Sequence, residues 1–372
     1  MKILSIGTDR SILNPVSESA KRQIAYGAHF DELNIVVLSR GAQPPVVLST
    51  GVRAYSTSSR SRLLYGIDAF RIVWKLPKPD IVTVQDPFET GLFGWLIARL
   101  RGAKLHVQVH TDLFAPAFRF SSLNRLRYLV ARFVLPRADR IRVNSNRIKE
   151  GIEKNQMSRA AISVLPIYTD IAKFKSAHAG PVRGQLQATA EHKVHASNGA
   201  GILAGRFSKF KTRLLVVARL EKEKNVLLAI DSFAKVAPLD TCLIIVGDGR
   251  ERRALEKRAA HLGLSGRIFF EGKTDPLPYY AVADLLLVPS LYEGYGNVII
   301  EALAAGKPVL ATDVGIALDA GAYVTEPEHF ADALKEWLEK GDRVGVLKQY
   351  PYQSFDEYVQ AYTDDIKKTA RL

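Results

Sequence analysis

The chain has 372 residues, 47% hydrophobic and 24% charged, with a net charge of +14 and one cysteine. This length is a prior for two domains, and the composition excludes a disordered or fibrous chain. No apolar run reaches the ~20 residues of a membrane-spanning helix, and the lone Cys242 allows no internal disulfide, as a reducing cytoplasm would favour.

Met1–Gly7 turns polar too early for the apolar core of a signal peptide and reads as a first strand. Strands then follow at Asn34–Ser39, Asp80–Val84, Lys104–His110 and Arg140–Val143, with helices at Ser17–His29, Arg62–Lys75, Glu89–Arg101 and Ser122–Leu135. In the second half the strands are Leu214–Val217, Leu243–Val246, Arg267–Glu271, Leu285–Val288 and Val309–Ala311. The helices there are Asn225–Val236, Arg250–Leu262, Asn297–Ala305 and His329–Lys340. Continuous apolar strands alternating with helices imply parallel sheets covered on both faces. The expected class is therefore α/β, with two Rossmann-like doubly wound domains facing a central cleft. Ligands of such sheets bind beyond the carboxyl ends of the strands.

The first domain is expected over 1–175 and the second over 211–350. Residues 176–210 are rich in Ala, Gly, Ser and His, lack periodicity, and read as a flexible linker or insertion. His178, His192 and His195 within it read as solvated residues of a polar segment, and no metal site is expected. Residues 351–372 read as a last helix, free to pack back on the first domain.

Three strand-to-helix turns in the second half carry chemistry. In Pro289-Ser290-Leu291-Tyr292-Glu293-Gly294-Tyr295-Gly296-Asn297-Val298, two glycines let a ligand approach the backbone, and a helix N-terminus opens onto the same place. Glu293 and Glu301 flank this turn with acceptors suited to sugar or ribose hydroxyls. The bland alternative is a plain turn with two surface glutamates. In Val217-Ala218-Arg219-Leu220-Glu221-Lys222-Glu223-Lys224-Asn225, Arg219 and Lys224 are placed to meet a diphosphate at a helix start, or are simply solvated. Val246-Gly247-Asp248-Gly249 is a weaker glycine turn. In the first half, Gly7 follows the first strand, and His110 follows the strand Lys104–Val109, where a structural role is as common as a functional one.

Charge is uneven. Residues 1–175 carry 27 Lys and Arg against 13 Asp and Glu, and residues 211–372 carry 21 against 24. The basic half suggests an anionic partner, whether a membrane surface, a phosphate-bearing substrate or nucleic acid, and the bland alternative is a solvated face. Within Arg119–Lys149 the apolar Leu123, Leu126, Leu129, Val130, Phe133 and Val134 recur at helical spacing among arginines. That is the pattern of a helix lying on an anionic membrane, or of one whose apolar stripe packs on its own sheet.

Together these residues resemble the retaining glycosyltransferases of family 4, which have the GT-B fold. The spaced Glu293 and Glu301, the Arg219 and Lys224 pair, Ala283-Asp284 through Pro289-Ser290, and Ala302-Leu303-Ala304-Ala305-Gly306-Lys307-Pro308-Val309 carry the resemblance. It implies that Glu293 contacts the donor sugar, Glu301 holds the ribose hydroxyls, and Arg219 and Lys224 bind the diphosphate. It further implies that backbone from Gly294 to Val298, including Tyr295, Gly296 and Asn297, surrounds sugar and phosphate. His110 would lie near the donor sugar, Lys273 near the base, and Gly7 and Gly247 on the donor side. Two departures stand out: Gly7-Thr8 replaces a double glycine, and Val314-Gly315-Ile316-Ala317-Leu318-Asp319 replaces a Gly-Gly-hydrophobic-Pro segment.

The function implied is transfer of a sugar from a nucleotide sugar, as substrate and with no cofactor or metal, to a glycan or lipid-linked acceptor. The place implied is the cytoplasm or the inner face of a membrane. A sugar-nucleotide epimerase and a non-catalytic lipid- or polyanion-binding protein are the alternatives. Paired carboxylates in a glycine turn count against a nucleic-acid partner.

Overall fold

The computed structural model describes residues 1–41, 43–61, 64–178 and 199–371. The chain begins β1 (Lys2–Gly7), α1 (Glu18–Gly27), β2 (Glu32–Val37), β3 (Val46–Ser49), β4 (Val52–Ser56), α2 (Tyr65–Lys75) and β5 (Ile81–Val84). It continues through α3 (Glu89–Arg101), β6 (Lys104–Val109), α4 (Ser122–Val134), β7 (Arg140–Val143), α5 (Asn146–Lys154) and β8 (Ala161–Val164). Next come α6 (Ile171–His178) and α7, helical over 199–206. Then follow β9 (Thr212–Val217), α8 (Val226–Val236), β10 (Thr241–Val246), α9 (Arg252–His261), β11 (Ile268–Gly272) and α10 (Leu277–Val282). The rest is β12 (Leu285–Val288), α11 (Asn297–Ala304), β13 (Val309–Thr312), α12 (Ala317–Ala320), β14 (Tyr323–Thr325), α13 (Phe330–Lys340) and α14 (Phe355–Thr369).

Two units result. Unit 1 comprises Met1–Pro166 and Tyr352–Leu372, and unit 2 comprises Ile167–Pro351. Unit 1 is built on an eight-stranded sheet of order β3-β4-β2-β1-β5-β6-β7-β8. All its pairings are parallel except the edge strand β3 against β4. Local signals start and stop its helices. Ser17 caps α1 by accepting from the Ala20 N–H, and α3 ends at Gly102 with φ of 59°, the left-handed turn that glycine makes without strain. Ser354 caps α14, which has Asp356 and Glu357 in its first turn and Lys367 and Lys368 in its last, in keeping with the helix dipole.

The helix α14 packs on α1, β5 and β6 through a buried polar network. Asp365 accepts from Arg140 Nε at 2.6 Å and from Ser163 Oγ at 2.5 Å, and lies 3.1 Å from His106 Nε2. Arg142 donates to Gln108 at 2.8 Å and lies 4.8 Å from the centre of the Tyr362 ring. Burial alone would raise the Asp365 carboxyl, but hydrogen bonds from His106, Ser163 and Arg140 hold it down to about 2. Burial keeps His106 neutral. Its Nε2–H therefore donates to Asp365 while Nδ1 accepts from the Thr83 hydroxyl at 2.8 Å.

Unit 2 is a six-stranded, wholly parallel sheet of order β11-β10-β9-β12-β13-β14. Both faces are covered. Leu214 and Val216 of β9 pack with Ile230, Phe233 and Phe330 on one side, while Leu215 joins Phe207, Tyr280 and Ile299 on the other. Each such side chain buried contributes roughly 1.5–3 kcal/mol.

The expected linker over 176–210 is corrected where it is described. Residues 199–206 are helical, and Leu203, Phe207 and Phe210 join the core of unit 2. The division between units falls after Pro166, ahead of the expected 175. Sparse apolar residues hid this helix: three large side chains were enough to anchor it. Residues 179–198, with His192 and His195, lie outside the described residues. Also unforeseen were β3, β4, β8, β14 and the helices α5, α6, α10 and α12, each of 11 residues or fewer, too short to show a period.

Candidate active site

In unit 2 the strand order reverses between β9 and β12, since β10 and β11 lie on one side and β13 and β14 on the other. A crevice opens at such a switch point beyond the carboxyl ends of the strands. The loops leaving those two strands are the Ala218–Asn225 and Pro289–Gly296 segments. A backbone bond from Leu291 N to Glu223 O, 2.8 Å, joins them.

This junction unites Lys224 and Glu293. Lys224 Nζ lies 2.5 Å from Glu293 Oε1, which also accepts from Ser290 Oγ at 2.8 Å. The lysine side chain is 18% exposed and the glutamate 12%, so the pair is largely desolvated and water screens it weakly. Arg219 differs: it pairs with Glu223 at 3.0 Å but remains 72% exposed, free to swing toward an incoming anion. Asn225 takes a left-handed φ of 47° between a short 3-10 turn and α8.

The helix α11 begins at Asn297 behind Gly296, φ 95°, with no side-chain cap. Its first N–H groups offer an anion the positive end of the helix. Asn297 Oδ1 is buried without a hydrogen-bond partner among the described residues, an acceptor waiting for a donor. The Tyr295 side chain turns into the core, leaving its backbone to the loop. Its carbonyl accepts from Ile316 N at 3.0 Å. Gly315 has φ of 53°, and a Cβ there would meet that same carbonyl at 2.2 Å. The 314–319 segment thus braces the Tyr295 backbone. Val298 is half-buried, one residue into α11.

One turn along α11, Glu301 accepts a hydrogen bond from Tyr280 OH at 2.8 Å. Burial raises its carboxyl, and the Tyr280 hydroxyl and the Lys173 charge oppose that rise. Gly247, φ 139°, makes room for the protein's own chain, because a Cβ there would lie 1.8 Å from Ala218 O. It sets the exit of β9 against that of β10. Lys273 is exposed just past β11, the edge strand. Sequence reasoning missed Tyr280, Ser290 and Glu223. Ser290 and Glu223 stood within the two motifs without being singled out, whereas Tyr280 carried no signal separable from core packing.

Unit 1 holds Gly7 and His110. A Cβ on Gly7 would fall 2.2 Å from Gln85 Oε1, so a neighbouring amide already uses the space this glycine leaves. His110 Nδ1 lies 3.0 Å from Asn144 Oδ1. Burial, with the Arg142 charge second, holds the imidazole down to about 3 and therefore neutral. Among the described residues no group of three His, Cys, Asp or Glu side chains is arranged to hold a metal.

Residues 211–340 match the family described as glycosyl transferases group 1, and residues 24–167 match the glycosyl transferase 4-like domain. The chain is 28% identical over 243 residues to the 2-deoxystreptamine glucosyltransferase of Streptomyces kanamyceticus, covering 63% of this chain and 59% of that relative. It is 45% identical over 71 residues to a lipopolysaccharide core biosynthesis glycosyltransferase of Rhizobium meliloti, covering 19% of this chain and 21% of that relative. The matched stretches thus span less than two thirds of either relative's length. In structure it resembles the Anabaena protein HepE in complex with UDP, with a TM-score of 0.67, 20% identity and coverage of 100% of this chain and 98% of that one. Two sheets of this topology, the paired motifs of the second and matches to both family domains lead to one conclusion: the chain belongs to the family 4 glycosyltransferases, the group 1 glycosyl transferases of GT-B fold.

Proposed function

We propose that the chain transfers a hexosyl group from a nucleoside-diphosphate sugar to an acceptor hydroxyl with retention of configuration. The observation that carries this reading is the desolvated Lys224–Glu293 pair beside the uncapped start of α11. A diphosphate arriving there gains the Lys224 ammonium, the exposed Arg219 and the helix N–H groups. As the sugar C1–O bond breaks, negative charge grows on the diphosphate, and these groups stabilise it more than they stabilise the ground state. Glu293 faces the sugar, whose ring gains oxocarbenium character. Glu301, steadied by Tyr280, accepts from the ribose hydroxyls. The leaving phosphate takes the acceptor's proton on the same face, a step that calls for neither metal nor cofactor.

The acceptor in this reading is a lipid-linked or envelope glycan, handled at the cytoplasmic face of a membrane. One relative is named for lipopolysaccharide core biosynthesis. In α4 only Ala131 and Val134 are buried, whereas Leu123, Leu126 and Leu129 are exposed, with Phe120 just ahead of them. On the neighbouring α3, joined through the Arg127–Glu89 ion pair, Leu92, Leu96 and Leu100 are exposed as well. Leucines interleaved with arginines suit an anionic bilayer surface. No helix among the described residues is long and apolar enough to cross one.

A thermal-shift screen against UDP, GDP, ADP and their sugars tests the donor site. A ligand at 100 times its Kd stabilises by about 2.7 kcal/mol. The reading requires a shift with at least one nucleotide that Glu301→Ala and Arg219→Ala both lose. A folded protein that responds to none of them refutes it.

A further inference from the structure

Adjacent residues of a helix point about 100° apart, so Tyr279 and Tyr280 of α10 address different neighbours. Tyr280 OH donates to Glu301 of α11 at 2.8 Å, and Tyr279 OH donates to Glu271 of β11 at 2.9 Å. Burial above all pushes the Tyr279 hydroxyl up to about 12 and the Tyr280 hydroxyl well above its ordinary range, so both stay protonated and donate. The helix between these bonds is six residues long and begins at Pro276 without a side-chain cap. So short a helix is not stable by itself. It is held by the two tyrosines and the buried Leu277 and Val282.

The Glu271 end of this arrangement reaches a third element. Glu271 Oε2, the same oxygen that accepts from Tyr279, also accepts from Arg206 Nη1 at 2.6 Å, and Arg206 is the last helical residue of α7. The glutamate side chain is 7% exposed and the arginine 49%. A carboxylate so far withdrawn from water is costly without its counter-charge. The guanidinium is steadied in turn by the rings of Phe207 and Phe269, whose centres lie 5.0 and 5.8 Å from it. A line of contacts thus runs from Arg206 through Glu271 and Tyr279 into the α10 backbone, and from there through Tyr280 to Glu301, all within unit 2.

We infer that Arg206 and Glu271 are positioning residues for the ribose end of the donor site, acting through α10 on Glu301. The inference rests on the ribose role of Glu301 proposed above. Without Arg206 the Glu271 carboxylate turns toward water, and the Tyr279 hydroxyl loses its charged acceptor. The short helix α10 then shifts, and Tyr280 no longer aims the Glu301 carboxylate at the ribose hydroxyls. Because the cluster acts through Glu301, the loss is confined to the part of the nucleotide that Glu301 holds.

The test is isothermal titration calorimetry of the full chain with UDP, GDP and ADP, and with the 2′,3′-dideoxy form of the nucleotide that binds. The wild type should prefer the ribose form by about tenfold or more, as hydrogen bonds to a charged group allow. Arg206→Ala and Tyr279→Phe should each weaken binding of the ribose form about fivefold, the worth of one ordinary hydrogen bond, and leave the dideoxy form within about twofold. Arg206→Lys keeps the charge and should recover most of the loss. In a Tyr280→Phe background, Tyr279→Phe should cost no more than about twofold further, since the line to Glu301 is already cut. Equal losses on the ribose and dideoxy forms, or none on either, overturn the inference, and so do losses that add in full in the double variant. Should Arg206→Ala fail to fold, Tyr279→Phe, which keeps the ring and removes one oxygen, decides the matter alone. A wild type that binds both forms equally instead removes Glu301 from the ribose, overturning the reading on which the inference rests.

Discussion

Lys224 Nζ lies 2.5 Å from Glu293 Oε1, although 69 residues separate the two in sequence. Both side chains are largely withdrawn from water, so removing one leaves the other charge poorly solvated. Lys224→Ala should lower kcat/KM by ~10²–10³, the usual loss for one preorganised charge-stabilising group. Lys224→Arg should recover little, since a planar fork does not replace a compact ammonium at this distance from Glu293 and Ser290. Transfer rates under saturating acceptor decide the matter, and a Lys224→Ala enzyme near wild-type activity would contradict the assigned role.

Tyr280→Phe removes the hydroxyl that donates to Glu301. Burial already raises the Glu301 carboxyl, and the tyrosine opposes that rise, so its loss should raise the carboxyl further. The variant should therefore lose nucleotide affinity at a higher pH than wild type as the solution is acidified. Its stability should fall by about 1 kcal/mol, the net value of a typical hydrogen bond. Nucleotide Kd measured from pH 5 to 8 reads the shift, and identical profiles would count against the coupling.

Asp365, held down to about 2 from an ordinary 3.8, links stability to pH. Its folded pKa is depressed, so its contribution is present above the unfolded value and lost as pH falls through the folded one. The gap corresponds to about 2 kcal/mol. His106, kept neutral by burial, adds in the same direction, because the unfolded chain takes up a proton that the fold refuses. Asp365→Asn should cost about 3 kcal/mol or more near pH 7 by leaving Arg140 without its counter-charge. Urea titrations should show the difference from wild type shrinking toward pH 2.

The exposed leucines of α4 give the membrane reading a direct check. Leu126→Asp with Leu129→Asp should abolish sedimentation with vesicles containing anionic lipid, as should Arg125→Glu with Arg132→Glu. Neutral vesicles should bind weakly, and salt should weaken anionic binding. These side chains are exposed, so melting temperatures should stay close to wild type. Equal binding of all variants would remove α4 from the interface.

Much of the fold was legible because short strands alternate with longer helical stretches. The runs Leu285–Val288 and Arg140–Val143 are strands over those same bounds, and Glu89–Arg101 is a helix over its expected span. The strands are four residues long and the helix thirteen, so length separates them. Residues 199–206 were illegible for the opposite reason. Leu203 and Phe207 supply their anchors among Gly, Ala and Arg, too few to display a period. The exposed leucines of α4 show a further limit: periodicity identifies an apolar face and does not say what covers it.

By itself the sequence determined the alternation of strands and helices, the two sheets and the turns that carry Arg219, Lys224, Glu293 and Glu301, because these follow from burial pattern and backbone chemistry at short range. Only the tertiary structure decided which of those groups meet. Register and strand order set Lys224 against Glu293, Tyr280 against Glu301, Asn144 beside His110 and Asp365 among His106, Arg140 and Ser163. Each is a pairing between residues distant in sequence, and its strength comes from a desolvation that exists only once the sheets are packed.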